Sequence, residues 1–359
     1  MSFDVYAGSI INSGYIYTGV LSGITAGDLT ATTGTFGSTP WHISLQSGSS
    51  TVWDLCFGSG ACSYSLSTDM LPGATYLSSD LGATVNPKFD GGSLQVASAG
   101  TLPQDFTITS NNGTIDQSGL VSTFSGDFSD DGGVPGKIII ENSASPGTGM
   151  VVLSGTNTHS GGIEVQAGAN LSIASASALG SGTLPLVGSA TVPATLPTTA
   201  PLTVKNPITV SGDPIFNVAP GTTTTVAGTI ADGGTPGKVV VDGGGTLLLT
   251  AANSHTGGTE VHAGANLSIA SASALGSGTL ELVGSATVPA TLTTTATLTI
   301  NNLITVAGDP VFNVAPGTTT TIASAIADGG TPGYVVVDGG GTLLLTAANT
   351  YTGLTSIVT

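Results

Sequence analysis

The residues that could carry chemistry are few, and they lie far apart in the sequence. Two cysteines, Cys56 and Cys62, are separated by five residues that include Gly-Ser-Gly. This spacing is typical of a small loop closed by a disulfide in an oxidising compartment, and a pair of free thiols is the alternative. The densest carboxylate group is Asp127, Asp130 and Asp131. Because a calcium ion needs six or more oxygens in a loop of defined spacing, we interpret these acids as turn residues, with calcium binding as the alternative.

The basic residues do not complete a catalytic pattern. The sequence has four histidines and four widely separated lysines. A β-helical polysaccharide enzyme typically needs clustered acids and a base in one cleft, whereas the acids here are spread along the chain. We therefore expect no enzyme, no catalytic residue, no cofactor and no metal. A polysaccharide-active β-helix enzyme is the alternative from another class.

The composition excludes several classes of function. The 359 residues include 4 Lys, no Arg and 21 acidic residues, so the formal net charge is −17, and only 7% of residues are charged. A chain with so few cations cannot line a nucleic-acid groove, and its acidity disfavours an anionic membrane surface. No apolar run approaches the roughly 18–20 residues of a membrane-spanning helix. We expect neither a nucleic-acid partner nor a membrane span.

A long internal repeat organises most of the chain. Residues 167–184 are identical to residues 263–280, 96 positions later, and the same offset relates residues 239–253 to 335–349. A divergent copy lies upstream, where Asp131-Gly-Gly matches Asp232-Gly-Gly. The repeats predict an N-terminal region over residues 1–90 and a repetitive region over 91–359. The repeat units are about 137–232, 233–328 and a partial 329–359.

Each unit consists of short strands between turn residues. Segments such as Asn-Leu-Ser-Ile-Ala alternate apolar and polar residues, as a half-buried strand does. Clusters such as Asp-Gly-Gly and Thr-Pro-Gly separate these segments, and no window has a convincing helical period. A β-sandwich array and a β-solenoid both suit this pattern. The low aromatic content of 5% favours the solenoid, because sandwich cores usually contain more aromatic residues. The expected fold class is all-β.

One stretch of the repeat resembles a known family. Residues 244–264 read GGTLLLTAANSHTGGTEVHAG. This is similar to the autotransporter-associated β-strand repeat, also called the passenger-associated transport repeat, and further matches begin near residues 155 and 348. The resemblance implies a right-handed parallel β-helix exported to the bacterial cell surface. Family members carry a signal peptide and end in a membrane β-barrel, and neither pattern occurs in this sequence.

Two motif positions recur in all three copies. We interpret the asparagine as part of a buried ladder whose amides bond from coil to coil, with ordinary turn asparagines as the alternative. Two residues later the copies have His, His and Tyr, where the family usually has Tyr. A catalytic histidine would not alternate with tyrosine, so we expect this position to pack the turn. The residues are Asn157, Asn253 and Asn349, followed by His159, His255 and Tyr351.

The N-terminal region contains most of the larger aromatic residues, including Trp41 and Trp53. This content predicts a β-rich cap or small domain. The aromatic residues then form either the core of the cap or a recognition surface.

The two ends of the sequence suggest a subunit contact. Residues 353–359 break off within a repeat, just before an AGANLSI strand would begin, and the N-terminal Val-Tyr-Ala-Gly resembles Val-His-Ala-Gly of the repeat. An open solenoid end exposes unpaired backbone groups, so subunits could stack head-to-tail into filaments. Truncation of a longer repeat protein explains the same pattern. The contact residues would be Val5, Tyr6, Ala7, Gly8, Ile357 and Val358.

These observations predict a non-enzymatic, extracellular β-solenoid of a bacterial surface with a structural or adhesive role. The partner would be a host or matrix glycan or protein. The alternative is a self-assembling subunit of an extracellular filament or matrix, whose partner is a second copy.

Overall fold

The computed structural model describes residues 69–81, 86–285 and 287–358, together with the backbone of six strands within residues 4–57. The chain divides into two compact units. The first comprises residues 1–69 and 84–87, and the second comprises residues 70–83 and 88–359.

The strands of the first unit pair antiparallel. Strands β1–β3 form one three-stranded sheet, and β4–β6 form another. Their bounds are β1 Asp4–Tyr6, β2 Ser9–Asn12, β3 Tyr15–Thr18, β4 Leu29–Ala31, β5 Trp41–Ser47 and β6 Ser50–Phe57.

The second unit is a solenoid of about 13 turns built from short parallel strands. It confirms the predicted all-β solenoid. Within the described part of this unit, 3₁₀ helices occur at Ser78–Leu81, Asp131–Gly133, Ala176–Leu179 and Ala272–Leu275. The strands of the first half are β7 Asp69–Met70, β8 Thr75–Leu77, β9 Lys88–Phe89, β10 Ser93–Gln95, β11 Gly100–Leu102, β12 Phe106–Ile108, β13 Gly113–Asp116, β14 Val121–Phe124, β15 Phe128–Asp130, β16 Ile138–Glu141, β17 Met150–Leu153, β18 Ile163–Val165, β19 Leu171–Ile173, β20 Leu184–Val187, β21 Thr195–Thr198, β22 Leu202–Val204 and β23 Ile208–Gly212.

The second half repeats the same kind of element. Its strands are β24 Ile215–Val218, β25 Thr223–Val226, β26 Ile230–Gly237, β27 Val239–Asp242, β28 Thr246–Leu249, β29 Thr259–His262, β30 Asn266–Ile269, β31 Leu280–Val283, β32 Thr291–Thr294, β33 Leu298–Ile300, β34 Ile304–Gly308, β35 Val311–Val314, β36 Thr319–Ile322, β37 Ile326–Gly333, β38 Val335–Asp338, β39 Thr342–Leu345 and β40 Thr355–Ile357.

The coils of the solenoid pass through three faces in turn. Face 1 contains β8, β10, β13, β16, β18, β20, β23 and β26, and further along it β33, β36 and β39. Face 2 contains β11, β14, β17 and β19, then β21, β24, β27, β29, β31, β34 and β37, joined by a parallel bridge between Asn170 and Thr195. Face 3 contains β7, β9, β12 and β15, then β22, β25, β28, β30, β32, β35, β38 and β40.

The repeat unit does not span a whole number of turns. Strand β16 lies on face 1, its repeat equivalent β27 lies on face 2, and the next equivalent β38 lies on face 3. After β16 the chain passes through all three faces in each turn and crosses face 1 four more times, at β18, β20, β23 and β26. Strand β27 then follows on face 2. One unit is therefore four and one-third turns, and equivalent residues of successive units occupy different sides of the solenoid.

The interior is formed by the alternate residues that the sequence pattern predicts. Phenylalanines fill the first coils, and the rings of Phe106 and Phe128 stack with centroids 4.9 Å apart. In later coils leucine, isoleucine and valine take most of these positions, with Phe216 and Phe312 as further phenylalanines, and these side chains are almost fully buried. Burial of each such side chain is worth about 1.5–3 kcal/mol. Some coils approach so closely that only glycine fits: a Cβ at Gly228 would overlap the carbonyl oxygen of Asn206.

The solenoid begins earlier in the chain than residue 91. Strand β8 at Thr75–Leu77 already pairs in parallel with β10, with Tyr76 opposite Leu94. These first coils do not resemble the repeat in sequence, because a solenoid coil needs only an inward apolar residue at the right place and no fixed motif.

Candidate functional site: the repeated asparagine turns

The family-like motif folds into a turn that replaces a strand in the stack of coils. The three turns lie at residues 157–160, 253–256 and 349–352. They follow β17, β28 and β39, and each stacks on the coil before it. The backbone N–H of Thr158, for example, donates to the carbonyl oxygen of Phe128 at 2.8 Å, and Ser254 donates to Ile230 at 2.8 Å. Because one unit is four and one-third turns, the turns lie on faces 3, 1 and 2 respectively.

The first two turns are fastened by their asparagines to the coils on either side. The Oδ1 atom of Asn157 accepts from the backbone N–H of Phe128 at 2.8 Å, and its Nδ2 donates to the carbonyl oxygen of Ala178 at 2.5 Å. Asn253 makes the same two bonds, at 2.8 Å to Ile230 and 2.7 Å to Ala274. A single side chain thus satisfies one backbone donor and one backbone acceptor where no strand ladder can pair them.

The asparagines do not form a ladder with one another. Asn157, Asn253 and Asn349 lie on three different faces, and their amides bond to backbone groups of neighbouring coils. The reason is the fractional number of turns per unit, which prevents equivalent side chains from stacking. Coil-to-coil bonding by the amide, which the sequence predicts, is present in this different form.

The position two residues later holds a ring that is packed inside the turn. His159 and His255 are at most 1% exposed. The Nε2 atom of His255 lies 3.2 Å from the hydroxyl of Thr259, and the hydroxyl of Tyr351 lies 2.7 Å from that of Thr355, the equivalent threonine. Histidine and tyrosine can therefore occupy the same motif position, because the imidazole and the phenol both reach the hydroxyl of the equivalent threonine.

His159 lacks this polar contact. Its copy has Ile163 in place of the threonine, and among the described residues neither ring nitrogen of His159 has a hydrogen-bond partner. The ring instead packs edge-on against Phe128, with centroids 6.4 Å apart. Burial lowers the pKa of His159, and of His255 likewise, although the nearby carboxylates of Asp130 and Asp232 oppose this effect. Both imidazoles are therefore neutral near pH 7.

An aspartate carboxylate holds in place the segment that precedes β27 and the segment that precedes β38. Asp232 accepts from the backbone N–H of Thr256 at 3.0 Å, from its hydroxyl at 2.7 Å and from the N–H of Gly237 at 3.1 Å. Asp328 makes the equivalent bonds to Thr352 and Gly333. Burial alone would raise the pKa of Asp232, but these hydrogen bonds outweigh burial and the pKa is lowered.

The upstream copy uses Asp130 for this purpose. Its carboxylate accepts from Gly136 and from the N–H and hydroxyl of Ser160, the equivalents of the partners of Asp232. The sequence alignment pairs Asp131 with Asp232, but the structural equivalent of Asp232 is Asp130. The upstream copy has one residue more between this aspartate and its glycine partner. The pairing of an acid with a hydroxyl residue 24 positions later, in Asp232–Thr256 and Asp328–Thr352, is a sequence signal that could have revealed these contacts.

A cluster of charged side chains lies on the outside of face 2. The Nζ atom of Lys238 is 3.0 Å from both Glu260 and Glu281, which occupy directly paired positions of β29 and β31. His262 lies 3.2 Å from Glu260 and 3.7 Å from Asp242. The hydrogen bond from His262, together with Lys238, lowers the pKa of Glu260 to about 2. The cation thus offsets the repulsion between two stacked carboxylates.

The motif side chains described above hold the backbone of neighbouring coils in place. In residues 69–81, 86–285 and 287–358 no group of three or more His, Cys, Asp or Glu side chains could hold a metal ion. Asp127 instead accepts from the backbone N–H of Thr156 at 2.6 Å, and Asp131 lies 3.8 Å from Lys88. The described part of the chain has no helix with the length and apolar character that crossing a bilayer requires.

The other predicted site residues lie at the two ends of the sequence. Val5 and Tyr6 belong to β1, whose backbone pairs antiparallel with β2. Ile357 is 73% exposed and Val358 is 50% exposed in the last coil. The side chains of Cys56 and Cys62, and residues Ala7 and Gly8, lie outside the described residues, so the disulfide and the subunit contact stay predictions.

Comparison with known families identifies the turns. The model of the passenger-associated transport repeat matches residues 147–169, 239–265 and 335–358. The chain contains three passenger-associated transport repeats. Each match includes one asparagine turn and the strand before it, so the fastened turns described above are the structural form of this repeat.

A curated autotransporter is similar to part of the chain. Over 113 residues the chain is 38% identical to the adhesin BmaC autotransporter of Brucella suis biovar 1 (strain 1330). The alignment covers 32% of this chain and 3% of the relative, so the chain spans only a small part of that protein's length. No solved structure matches the chain. The solenoid is thus similar, in three repeated segments and in this aligned stretch, to the passenger segments of autotransporters.

The buried histidines predict a loss of stability on mild acidification. Their folded-state pKa is lower than the value of about 6.5 in the unfolded chain, so the unfolded chain binds more protons below pH 6.5. The stability that neutral His159 and His255 contribute is present above this pH and is lost as the pH falls towards 5. We expect the melting temperature, followed by circular dichroism, to decrease over this range.

Two sets of variants separate this effect from other titrations. His262 has a raised pKa, because Glu260 hydrogen-bonds its charged form, and its contribution is therefore lost as the pH rises. The variant His262→Gln, which introduces the residue found at Gln166, removes that opposing effect. The double variant His159→Phe, His255→Tyr should then have a melting temperature that is nearly constant between pH 7 and 5. The same acid loss in the double variant would contradict the prediction, since Asp130 and Asp232 titrate only at lower pH.

Proposed function

We propose that the chain is a passenger segment displayed outside a bacterial cell, where it has a structural or adhesive, non-enzymatic role. The observation that carries this proposal is the occurrence of three passenger-associated transport repeats in a continuous β-solenoid. The curated relative is named an adhesin, which supports adhesion as the function of such a segment.

The physical character of the surface supports adhesion through contact rather than catalysis. The motif side chains hydrogen-bond to neighbouring coils, as Asn157 does to Phe128 and Asp130 does to Ser160. The solenoid presents outward the exposed Gly-Gly-Thr-Pro segments at 233–236 and 329–332, which bulge from β26 and β37. Loops on a rigid scaffold are where binding residues are commonly found.

Display and adhesion can be tested separately. Antibodies against the purified chain should label intact producing cells, and proteinase K added to intact cells should remove the signal. Labelling only after permeabilisation would overturn the location.

For adhesion, beads coated with the full chain are washed over surfaces of fibronectin, collagen or mucin, with albumin-coated beads as the control. Retention at least several-fold above the albumin beads on one surface is expected. Retention equal to albumin on all three would contradict an adhesive role towards these classes of ligand and favour a purely structural one.

A further inference from the structure

We propose that the first asparagine turn, residues 157–160, is an acid-sensitive latch: protonation of His159 opens this turn more readily than protonation of His255 opens the second turn, residues 253–256. The two turns have the same backbone contacts and differ in a polar contact of the buried ring. The inference concerns the solenoid itself and does not depend on the adhesive role.

The first observation is that both rings are enclosed. His159 is 1% exposed, and His255 is completely buried. A glycine backbone lies against each ring: a Cβ added at Gly180 would lie 3.1 Å from the Nδ1 of His159, and one added at Gly276 would lie 3.0 Å from the Nδ1 of His255. Solvent therefore does not hydrate either imidazole while its turn is closed.

The second observation is that the two rings differ in their hydrogen bonds. The Nε2 of His255 lies 3.2 Å from the hydroxyl of Thr259, which can accept from a protonated ring. The first turn has Ile163 at this position, and within the described residues neither ring nitrogen of His159 has a partner. A protonated imidazole donates from both nitrogens, so a closed turn leaves two buried donors unpaired in His159 and one in His255.

The charged groups around the first ring do not supply the missing partner. Asp130 of β15 acts on the ring electrostatically, but its carboxylate already accepts from the N–H and the hydroxyl of Ser160. The segment 176–180 contains no titratable side chain, and Glu164 of β18 pairs with Lys137 at 2.8 Å.

The second ring has an equivalent charge environment. In both turns a carboxylate and a backbone carbonyl oxygen favour the charged ring, from Asp130 and Phe128 in the first turn and from Asp232 and Ile230 in the second. Burial outweighs these effects, so the pKa of each histidine is lowered in the folded chain. The hydroxyl of Thr259 is thus a polar contact to the ring that the first turn lacks.

Opening exposes the unpaired donors to water. In the open turn the imidazole of His159 regains its ordinary pKa of about 6.5, so the open turn binds more protons than the closed one as the pH falls. Between pH 7.5 and pH 5 this difference favours opening by at most about thirtyfold. Because each coil contacts only its neighbours, the turn can open while the rest of the stack stays folded.

The test is hydrogen exchange of the full chain, measured by mass spectrometry at pH 7.5 and pH 5 and corrected for the intrinsic exchange rate. Protection of residues 157–160 should decrease by about tenfold or more at pH 5, and protection of residues 253–256 by about threefold less than that. The double variant Ile163→Thr, Thr259→Ile exchanges the polar contact between the turns. The larger loss of protection should then move to the second turn.

Equal losses of protection in the two turns of the unchanged chain would overturn the proposal, and this comparison requires no variant. It would also be overturned if the larger loss stayed in the first turn of the double variant. His159→Phe removes the proposed sensor and should keep its protection at pH 5, whereas an unchanged acid loss would assign the opening to another group. Circular dichroism at pH 7.5 checks that each variant is folded.

Discussion

A chain that lacks residues 167–262 is expected to fold and to melt cooperatively, within about 5 °C of the full chain. This deletion removes one repeat unit and joins Gln166 to Ala263. Stability in a solenoid is approximately a sum over coils and the interfaces between neighbouring coils. The deletion shortens the stack and leaves the type of each interface unchanged.

The contacts across the new junction are the same as the old ones. Strand β17 pairs with Leu171-Ser172-Ile173 in the full chain and would pair with the identical residues 267–269 after the deletion. Val165 lies opposite Leu186 and would lie opposite Leu282. Every following strand moves back to the preceding face, as β31 does from face 2 to face 1, because the removed unit is four and one-third turns. This shift should not disturb packing, because the equivalent strands β16, β27 and β38 have similar sequences and already lie on faces 1, 2 and 3.

A shorter deletion provides the matched control. Removal of residues 167–252 begins at the same place but joins Gln166 to Asn253, so a turn occupies the position where a strand must cover β17. We expect this variant to lose its cooperative melting transition and to aggregate. Circular dichroism melting and size-exclusion chromatography measure both variants. If the two deletions behave alike, removal of one complete repeat unit is not the condition under which the chain still folds.

The largest effect of a single substitution is expected for Asn157→Ala. The change leaves the backbone N–H of Phe128 and the carbonyl oxygen of Ala178 without a partner, and Asn157 is only 6% exposed. A buried unsatisfied group costs about 1–3 kcal/mol, so the free energy of unfolding of these coils should decrease by about 2–4 kcal/mol. Urea denaturation, with hydrogen exchange over residues 124–180, measures the loss.

The equivalent substitution Asn349→Ala is the control. Asn349 is only half-buried, and among the described residues its amide serves one backbone group, the N–H of Ile326. The expected decrease is therefore about 1 kcal/mol. Equal losses at the two positions would show that the asparagine acts through local turn preference and not through bonds to both neighbouring coils.

The sequence by itself determined the class of fold and the parts of the turn. Alternation of apolar and polar residues marks the strands because successive side chains point to opposite faces. The recurrence of Asn253 and Asn349, and of His255 and Tyr351, indicates structural positions, and their contacts are of that kind. These features are local, so they can be read from short segments.

Only the tertiary structure decided which residues meet. Contacts between coils depend on the number of residues in each turn. Because the upstream copy has one extra residue, the contacts that Asp232 makes in the next unit are made there by Asp130 and not by Asp131. The same length effect places equivalent turns on three faces and thereby excludes an asparagine ladder. It also brings Lys238 between two glutamates, because neighbours across coils are separated by about 20 residues or more.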